Sequence, residues 1–226
     1  MEDLLHKIDE MKLNLNSKDI KSIKKSKLKT ISTKEINKEN KQIITTYNYY
    51  VKLIKKLKKY LKTEEDIILE VKNDKLNRIV CLAIKLSKND MKIFMPVDIR
   101  LFIGDAKDTY MDCSYYNLED GGILYIKEFT SGKPNNGYGK IILENLDYIV
   151  KKINIKLDLY NHYFEEYTFN YIKRIEGVAI PSKSIITQES LNKIYRKYGF
   201  EVDEKNNMSM IKIIESQEIA YNQNMN

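Results

Sequence analysis

The sequence predicts a mixed α/β fold in which a central, mostly antiparallel mixed sheet is flanked by helices. Three observations lead to this prediction. Apolar residues recur at spacings of three and four between residues 42 and 62, as in an amphipathic helix. Short β-branched and aromatic runs, separated by turn residues, follow between residues 67 and 116. A strand, a glycine-containing loop and a helix then succeed one another over residues 121–153.

Length and composition fit one domain with an appended segment. The chain has 226 residues, and a domain usually has about 100–200. Its two cysteines, Cys81 and Cys113, exclude a disulfide framework and a cysteine-rich zinc site, and we expect no bound metal. No apolar run approaches the ~20 residues of a membrane span, and the charged N-terminus lacks the apolar core of a secretory signal. We therefore expect a reduced, cytoplasmic protein without a membrane span.

Positive charge is concentrated in the first quarter of the chain. Residues 1–62 contain 17 lysines and seven acidic residues, a net charge of +10, whereas residues 63–226 carry −3, for a total of +7. Such asymmetry points to an acidic partner, for example nucleic acid. However, lysine outnumbers arginine 35 to four, and lysine lacks the bidentate contacts of arginine. AT-rich coding DNA produces the same bias, so a plain solvated surface is the stronger interpretation.

This charge distribution divides the chain into three segments. Residues 1–62 form a lysine-rich, helical N-terminal segment, residues 63–214 the main domain, and residues 215–226 a polar tail. Within the first segment, Met11–Leu15 alternates like a short strand, and residues 18–41 are polar without a sustained apolar stripe.

The segment from Gln42 to Lys62 is predicted to be an amphipathic helix. Its polar face holds Lys52, Lys55, Lys56, Lys59 and Lys62. We interpret it as a surface helix that packs on the domain and keeps its lysine face in water. A helix that binds a membrane surface or an acidic partner is the alternative.

The middle of the chain is predicted to form an antiparallel meander. Its five strand-like runs are Ile67–Lys72, Arg78–Leu86, Met91–Met95, Ile99–Ile103 and Thr109–Tyr116. Turn residues lie at Asn73–Asp74 and Asn89–Asp90. Because proline has no backbone N–H, Pro96 is expected to interrupt the pairing between the third and fourth runs.

Residues 121–153 carry the most informative pattern. Ile123–Thr130 is predicted to be a strand, Ser131–Asn136 a polar loop, and a helix is expected to begin at Tyr138. Unpaired N–H groups at a helix start, together with glycines that let a ligand approach the backbone, make an anion site. A simple capping turn explains the glycines about as well. The loop is not a dinucleotide fingerprint, because Ile142 stands where a third glycine is needed.

The C-terminal third contains both helix and strand patterns. We predict helix-like Tyr160–Lys173, strand Ile175–Ile180, helix Gln188–Lys197 ended by Gly199, and a hairpin of Phe200–Asp203 and Met208–Ile214. The many aromatic residues of 160–173 would either line an acceptor pocket or mark a core face or a homodimer contact.

Two of these segments together resemble the GNAT superfamily of N-acetyltransferases. The stretch Pro134-Asn135-Asn136-Gly137-Tyr138-Gly139 is similar to the family's acetyl-CoA motif, a strand followed by Gln/Arg-x-x-Gly-x-Gly/Ala and a helix. Both glycines match, whereas Pro134 departs from the family's first position. The stretch ESLNKIYRKYGFEVD is similar to the family's late helix and closing strand, with Tyr195 before a charged pair and Gly199-Phe200 after it. The resemblance covers roughly residues 109–214.

The resemblance implies two strands that splay apart at an acetyl-CoA site, and a role for particular residues there. Phe129 and Ser131 would offer backbone groups to the thioester and pantetheine. The pyrophosphate would be held by Asn136, Gly137, Tyr138, Gly139 and Lys140. Tyr195 matches the family's usual general acid, with a core tyrosine as the alternative, and Glu128 is the candidate general base, although its alternation with Phe129 places it on the other face of the sheet.

We therefore expect an N-acetyltransferase that transfers the acetyl group of its co-substrate acetyl-CoA directly to an amine. The acceptor is left open as a small amine, a protein amine or an RNA-linked amine. The alternative is a catalytically inactive binding module of the same fold, which uses residues 1–62 as a basic arm for nucleic acid or an acidic protein. His162 is a candidate pocket residue, and Cys113 is expected to be an apolar core residue.

Overall fold

One eight-stranded sheet organises the part of the chain that the computed structural model describes, which is residues 41–62, 66–87, 94–163, 168–181, 186–206 and 208–214. Within these residues four helices flank the sheet. The predicted mixed α/β class with a mostly antiparallel sheet is therefore confirmed. The predictions for Met11–Leu15, for residues 18–40 and for Asn89–Asp90 lie outside the described residues. In the described part of the chain, no helix combines the length and apolar character that crossing a membrane requires.

The helices and strands follow the predicted order with two exceptions: the runs predicted at Met91–Met95 and Ile99–Ile103 belong, where described, to one strand, and no separate helix is found at Tyr160–Lys173 in the described residues. The described helices are α1 (Lys41–Tyr60), α2 (Tyr138–Glu144), α3 (Leu146–Tyr163) and α4 (Gln188–Lys197). The strands are β1 (Asp66–Asn73), β2 (Ile79–Leu86), β3 (Phe94–Phe102), β4 (Thr109–Tyr116), β5 (Gly122–Thr130), β6 (Ile172–Val178), β7 (Glu201–Asp203) and β8 (Ser209–Ile213). The order across the sheet is β1-β2-β3-β4-β5-β6-β8-β7, and only β5 and β6 pair in parallel.

Helices α1 and α3 cover opposite faces of the sheet. The hydroxyl of Tyr60 on α1 donates to Asp98 at 3.0 Å, and that of Tyr160 on α3 donates to Asp66 at 2.6 Å. Asp98 is opposite Lys85 and Asp66 is opposite Leu86, so the two carboxylates project to different faces. The apolar core therefore lies in two layers, one on each side of the sheet.

Helix α1 packs its apolar stripe into the same core as the sheet, as the amphipathic pattern predicted. The buried residues of this helix are Ile44, Tyr47, Tyr49, Tyr50, Val51, Leu53, Ile54 and Leu57.

The division of the chain into three segments, with boundaries after residues 62 and 214, stays a prediction.

The prediction that every lysine on the polar face of α1 is solvated is wrong for Lys56. Its ammonium donates to the carbonyls of Ile103 and Ala106 at 2.7 and 2.6 Å and to the Asp108 carboxylate at 2.7 Å. The loop between β3 and β4 bends back toward α1, and its carbonyl groups need a donor where they leave the sheet. Lys56 therefore anchors this loop.

Pro96 does not interrupt the sheet, contrary to the prediction, because β3 runs through it. Its carbonyl accepts from the N–H of Ser87 at 3.1 Å, just beyond the end of β2. The N–H and C=O of one residue in an antiparallel strand point to the same side. The missing N–H therefore falls where β2 pairing has already ended, and pairing with Ser114 of β4 continues on the other side.

The helix predicted from Tyr138 is divided into α2 and α3 at Asn145. The Asn145 side-chain amide donates to the backbone carbonyl of Ile141 at 2.7 Å, and the backbone carbonyl of Asn145 accepts from the N–H of Ile149 at 2.8 Å. An asparagine that bonds the backbone of its own helix competes with the regular ladder. The break thus has a local cause that apolar spacing alone does not reveal.

The separate helix predicted at Tyr160–Lys173 is wrong. Helix α3 continues to Tyr163, and β6 already begins at Ile172, where it takes up the register of β5. Tyr160 and Phe169 are buried with ring centroids 6.1 Å apart, so these two aromatic residues pack in the core.

Candidate functional site

The sheet opens at its centre, between β5 and β6. These parallel strands pair from Gly122 opposite Ile172 to Ile126 opposite Gly177. Beyond that point, among the described strands, β5 pairs only with β4 and β6 only with β8. We call the opening beside residues 127–130 the β5–β6 gap. Beyond Ile126, no described strand pairs with β5 on the side of this gap.

A β-bulge explains why the strands part here. Asp112 of β4 is opposite Glu128, but Cys113 is opposite Ile126, so Lys127 is an extra residue in β5. A bulge bends its strand and increases the local twist. The bend therefore coincides with the last rung that joins β5 to β6.

The start of α2 packs against the end of β5. A Cβ atom added to Gly139 would lie 3.3 Å from the ring of Phe129, so glycine permits this close approach. At Gly137, an added Cβ would meet nothing within 4 Å, but φ is 79°. Glycine is favoured there because other residues rarely adopt a positive φ, and not because space is short. The two glycines therefore have different local reasons.

Helix α2 presents backbone amides near the gap. Its first hydrogen bond runs from the N–H of Ile141 to the carbonyl of Gly137 at 3.3 Å. The amides of Tyr138, Gly139 and Lys140 precede that bond, and such amides are available to an anion.

The side chains of the predicted cradle are engaged elsewhere. Lys140 pairs with Glu144 at 3.3 Å, and the side-chain amide of Asn136 donates to the carbonyl of Pro134 at 2.9 Å. Any anion at this loop would therefore contact mainly backbone groups. The hydroxyl of Ser131 is nearby and donates to the carbonyl of Lys133 at 3.4 Å.

Tyr138 ties the start of α2 to the turn between β1 and β2. Its buried hydroxyl accepts from Arg78 at 2.8 Å, and burial raises the pKa of this phenol. The same guanidinium donates to Asp74 at 2.8 and 2.9 Å and to Asp105 at 2.8 Å. No local sequence pattern predicts the contact between Arg78 and Tyr138, because the two residues are 60 positions apart.

Tyr195 is oriented by the end of α4. The N–H of Phe200 donates to the carbonyl of Tyr195 and the N–H of Gly199 to that of Arg196, both at 3.1 Å, and Gly199 has φ 84°. These bonds form a Schellman motif, which commonly brings the residue after the glycine against the last helical turn.

The Tyr195 phenol is buried and stays protonated at neutral pH. Burial, with a smaller contribution from Cys113, raises its pKa to about 12. Cys113 is opposite Ile126, the last β5 residue joined to β6, so the phenol lies near the beginning of the β5–β6 gap. No described residue hydrogen-bonds to the hydroxyl.

Glu128 lies beside the gap on the opposite face from Phe129. Its Oε1 accepts from the hydroxyls of Tyr110 at 2.7 Å and Thr130 at 3.1 Å. Within the described ranges Oε2 has no hydrogen-bond partner and no cation pairs with the carboxylate. Tyr110 and Thr130 were not predicted as partners of Glu128, because their contact with it depends on strand register.

The other residues considered are two buried cysteines and one exposed histidine. Cys81 and Cys113 are buried free thiols, and burial raises the pKa of Cys113 well above its usual range. His162 is exposed in the last turn of α3. Over the described ranges, His, Cys, Asp and Glu side chains form no group of three that could hold a metal ion.

Comparison with known proteins adds no assignment. No protein-family model matches the chain, and no curated protein matches it either.

Proposed function

We propose that this chain is a GNAT-like N-acetyltransferase that uses acetyl-CoA. The β5–β6 gap is the observation that carries the proposal. An extended ligand with amide groups can add to an open sheet edge by backbone hydrogen bonds. The pantetheine arm has such amides, and Phe129 and Ser131 lie at the edge and its end.

The start of α2 would hold the pyrophosphate of acetyl-CoA. Amides at a helix start favour anions through unpaired N–H groups and the helix dipole. The loop that leads to them follows directly from β5, and the Lys75 ammonium donates to the carbonyl of Asn135 in that loop at 3.4 Å. A positive charge therefore lies close to the backbone of Asn136, Gly137, Tyr138, Gly139 and Lys140.

Tyr195 and Glu128 would supply the two proton transfers. The proposed role of Glu128 is to take a proton from the ammonium form of the acceptor. The amine lone pair then forms the N–C bond to the acetyl carbon, and the C–S bond breaks. Tyr195 gives its proton to the departing sulfur and regains one from the acetylated nitrogen. The products are one amide and one thiol, and the proton taken up by Glu128 is released to solvent.

The gap also accounts for how these two residues would reach one reacting group. Cys113, near Tyr195, projects to the same face as Phe129, whereas Glu128 projects to the other face. A group held between two parted strands can be reached from both faces of a sheet.

Binding and turnover measurements test this proposal separately. We expect calorimetry to detect CoA binding, and a thiol-release assay with a panel of small amines, peptide amines and aminoacyl-RNA to detect acetyl transfer. Tyr195→Phe keeps the ring and removes the proton, so kcat should fall about 100-fold or more with unchanged CoA affinity. Binding without turnover by the unsubstituted chain would instead favour the inactive binding module. Absence of CoA binding would overturn the proposal.

A further inference from the structure

Tyr110 and Glu128 occupy diagonal positions on one face of the β4–β5 pair. Tyr110 is opposite Thr130, and Asp112 is opposite Glu128. Side chains in this relationship are within reach when one of them is long or aromatic. The Tyr110 hydroxyl bridges the distance and donates to Oε1 of Glu128 at 2.7 Å.

Two hydroxyl groups act on a single oxygen of Glu128. Thr130 donates to the same Oε1 at 3.1 Å, so both donors hold one oxygen and leave Oε2 available. Hydrogen bonds from two neutral donors fix the orientation of a carboxylate.

Other carboxylates on this face are treated differently. Three of them, on the strands around Glu128, form ion pairs: Asp98 with Arg100 at 3.1 Å, Asp112 with Lys127 at 3.4 Å and Glu176 with Arg174 at 2.6 Å. Glu128 lies beside the β5–β6 gap and, within the described residues, has hydroxyl donors in place of a cation. An acceptor amine could therefore reach Oε2 of Glu128 without displacing an ion pair.

We propose that Tyr110 is a positioning residue that orients the Glu128 carboxylate for proton transfer from the acceptor amine. This inference rests on the proposed acetyl transfer. Thr130, on the same strand as Glu128, donates the second hydrogen bond to the carboxylate. The hydrogen bond to Glu128 also raises the pKa of Tyr110, which keeps this phenol protonated as the donor.

A double-mutant cycle on kcat tests the inference. Tyr110→Phe removes one donor to a charged group, so we expect kcat to fall about tenfold, with unchanged KM for acetyl-CoA. Glu128→Gln should lower kcat about 100-fold. The double variant should equal Glu128→Gln alone, since without the carboxylate there is nothing to orient.

Tyr171→Phe is the matched control. The Tyr171 hydroxyl also donates to a carboxylate at 2.7 Å, that of Asp158, but it belongs to the segment beside α3. Loss of the Tyr171 hydroxyl in this variant should leave kcat unchanged. Additive losses in the cycle, an unchanged kcat in Tyr110→Phe, or an equal loss in Tyr171→Phe would overturn the positioning role.

The outcomes separate this inference from the proposed function. Acetyl transfer that persists undiminished in Glu128→Gln overturns the inference and leaves the acetyltransferase proposal standing. An unsubstituted chain that acetylates no amine overturns both.

Discussion

The ring of Phe200 meets the ring of Tyr195 edge to face, with centroids 5.4 Å apart. This contact accompanies the backbone bonds that end α4 around Gly199. A hydrophobic contact of this kind is a regular part of the Schellman motif. The local rules that terminate the helix therefore also hold the proposed general acid in place.

Gly199 and Gly137 form a matched pair for substitution. Both have positive φ, 84° and 79°, and an added Cβ would meet nothing closer than 3.6 Å at Gly199 and nothing within 4 Å at Gly137. Alanine at either position should therefore cost only the backbone term, about 1–2 kcal/mol in free energy of unfolding, measured in urea. Only Gly137→Ala should weaken CoA binding. Equal CoA affinities for the two variants would contradict the position of the cradle.

Tyr195 should make the folded state sensitive to alkaline pH. Burial raises its pKa from 10.0 to about 12 in the folded state. A raised folded pKa contributes stability that is complete below pH 10 and is lost as pH rises through about 12. Urea unfolding across this interval should show a smaller loss for Tyr195→Phe than for the unsubstituted chain, by roughly 2 kcal/mol. Parallel pH dependences would show that the phenol is not buried.

Lys56 should contribute to stability, whereas its neighbour Lys55 should not. Lys56→Met removes an ammonium that binds two carbonyls and the Asp108 carboxylate, so the free energy of unfolding should fall by about 2–3 kcal/mol. Lys55 is exposed, and Lys55→Met should change the free energy of unfolding by less than about 0.5 kcal/mol. Thermal and urea unfolding of both variants measure the contrast. Similar values would mean that Lys56 is solvated.

Features with local causes could be predicted from the sequence. The end of α4 depends on Gly199 and its immediate neighbours, and its bounds agree with the prediction. The start of α2 likewise follows from Gly137, whose φ is positive. In both cases the responsible residues lie within one helical turn of the feature that they determine.

Features that depend on strand register could not be predicted in this way. Whether Pro96 interrupts the sheet depends on which neighbour its missing N–H would face, and hence on where β2 ends. Tyr110 and Glu128 are 18 positions apart in the sequence, and the bulge in β5 sets the register that brings them together. Arg78 and Tyr138 are 60 positions apart. The residues proposed at the end of β5 could therefore be named from the sequence, whereas the residues that contact them could not.

The hydroxyl of Tyr138 should be needed for CoA binding because Arg78 holds the start of α2 through it. Tyr138→Phe keeps the buried ring and removes the acceptor of the 2.8 Å bond from Arg78. We expect a loss of about 1–2 kcal/mol in free energy of unfolding and weaker CoA binding, measured by urea unfolding and calorimetry.

Tyr160→Phe is the control for this prediction. Tyr138 and Tyr160 are both 3% exposed, and the hydroxyl of Tyr160 also bonds a charged group, Asp66, at 2.6 Å. Tyr160 lies in the last turn of α3, far along the helix from Asn145. The two variants should therefore lose comparable stability, about 1–2 kcal/mol, while only Tyr138→Phe binds CoA more weakly. Binding of pantetheine, which lacks the pyrophosphate, should be unchanged in both. A parallel loss of pantetheine binding in Tyr138→Phe would place the effect of this hydroxyl outside the pyrophosphate cradle.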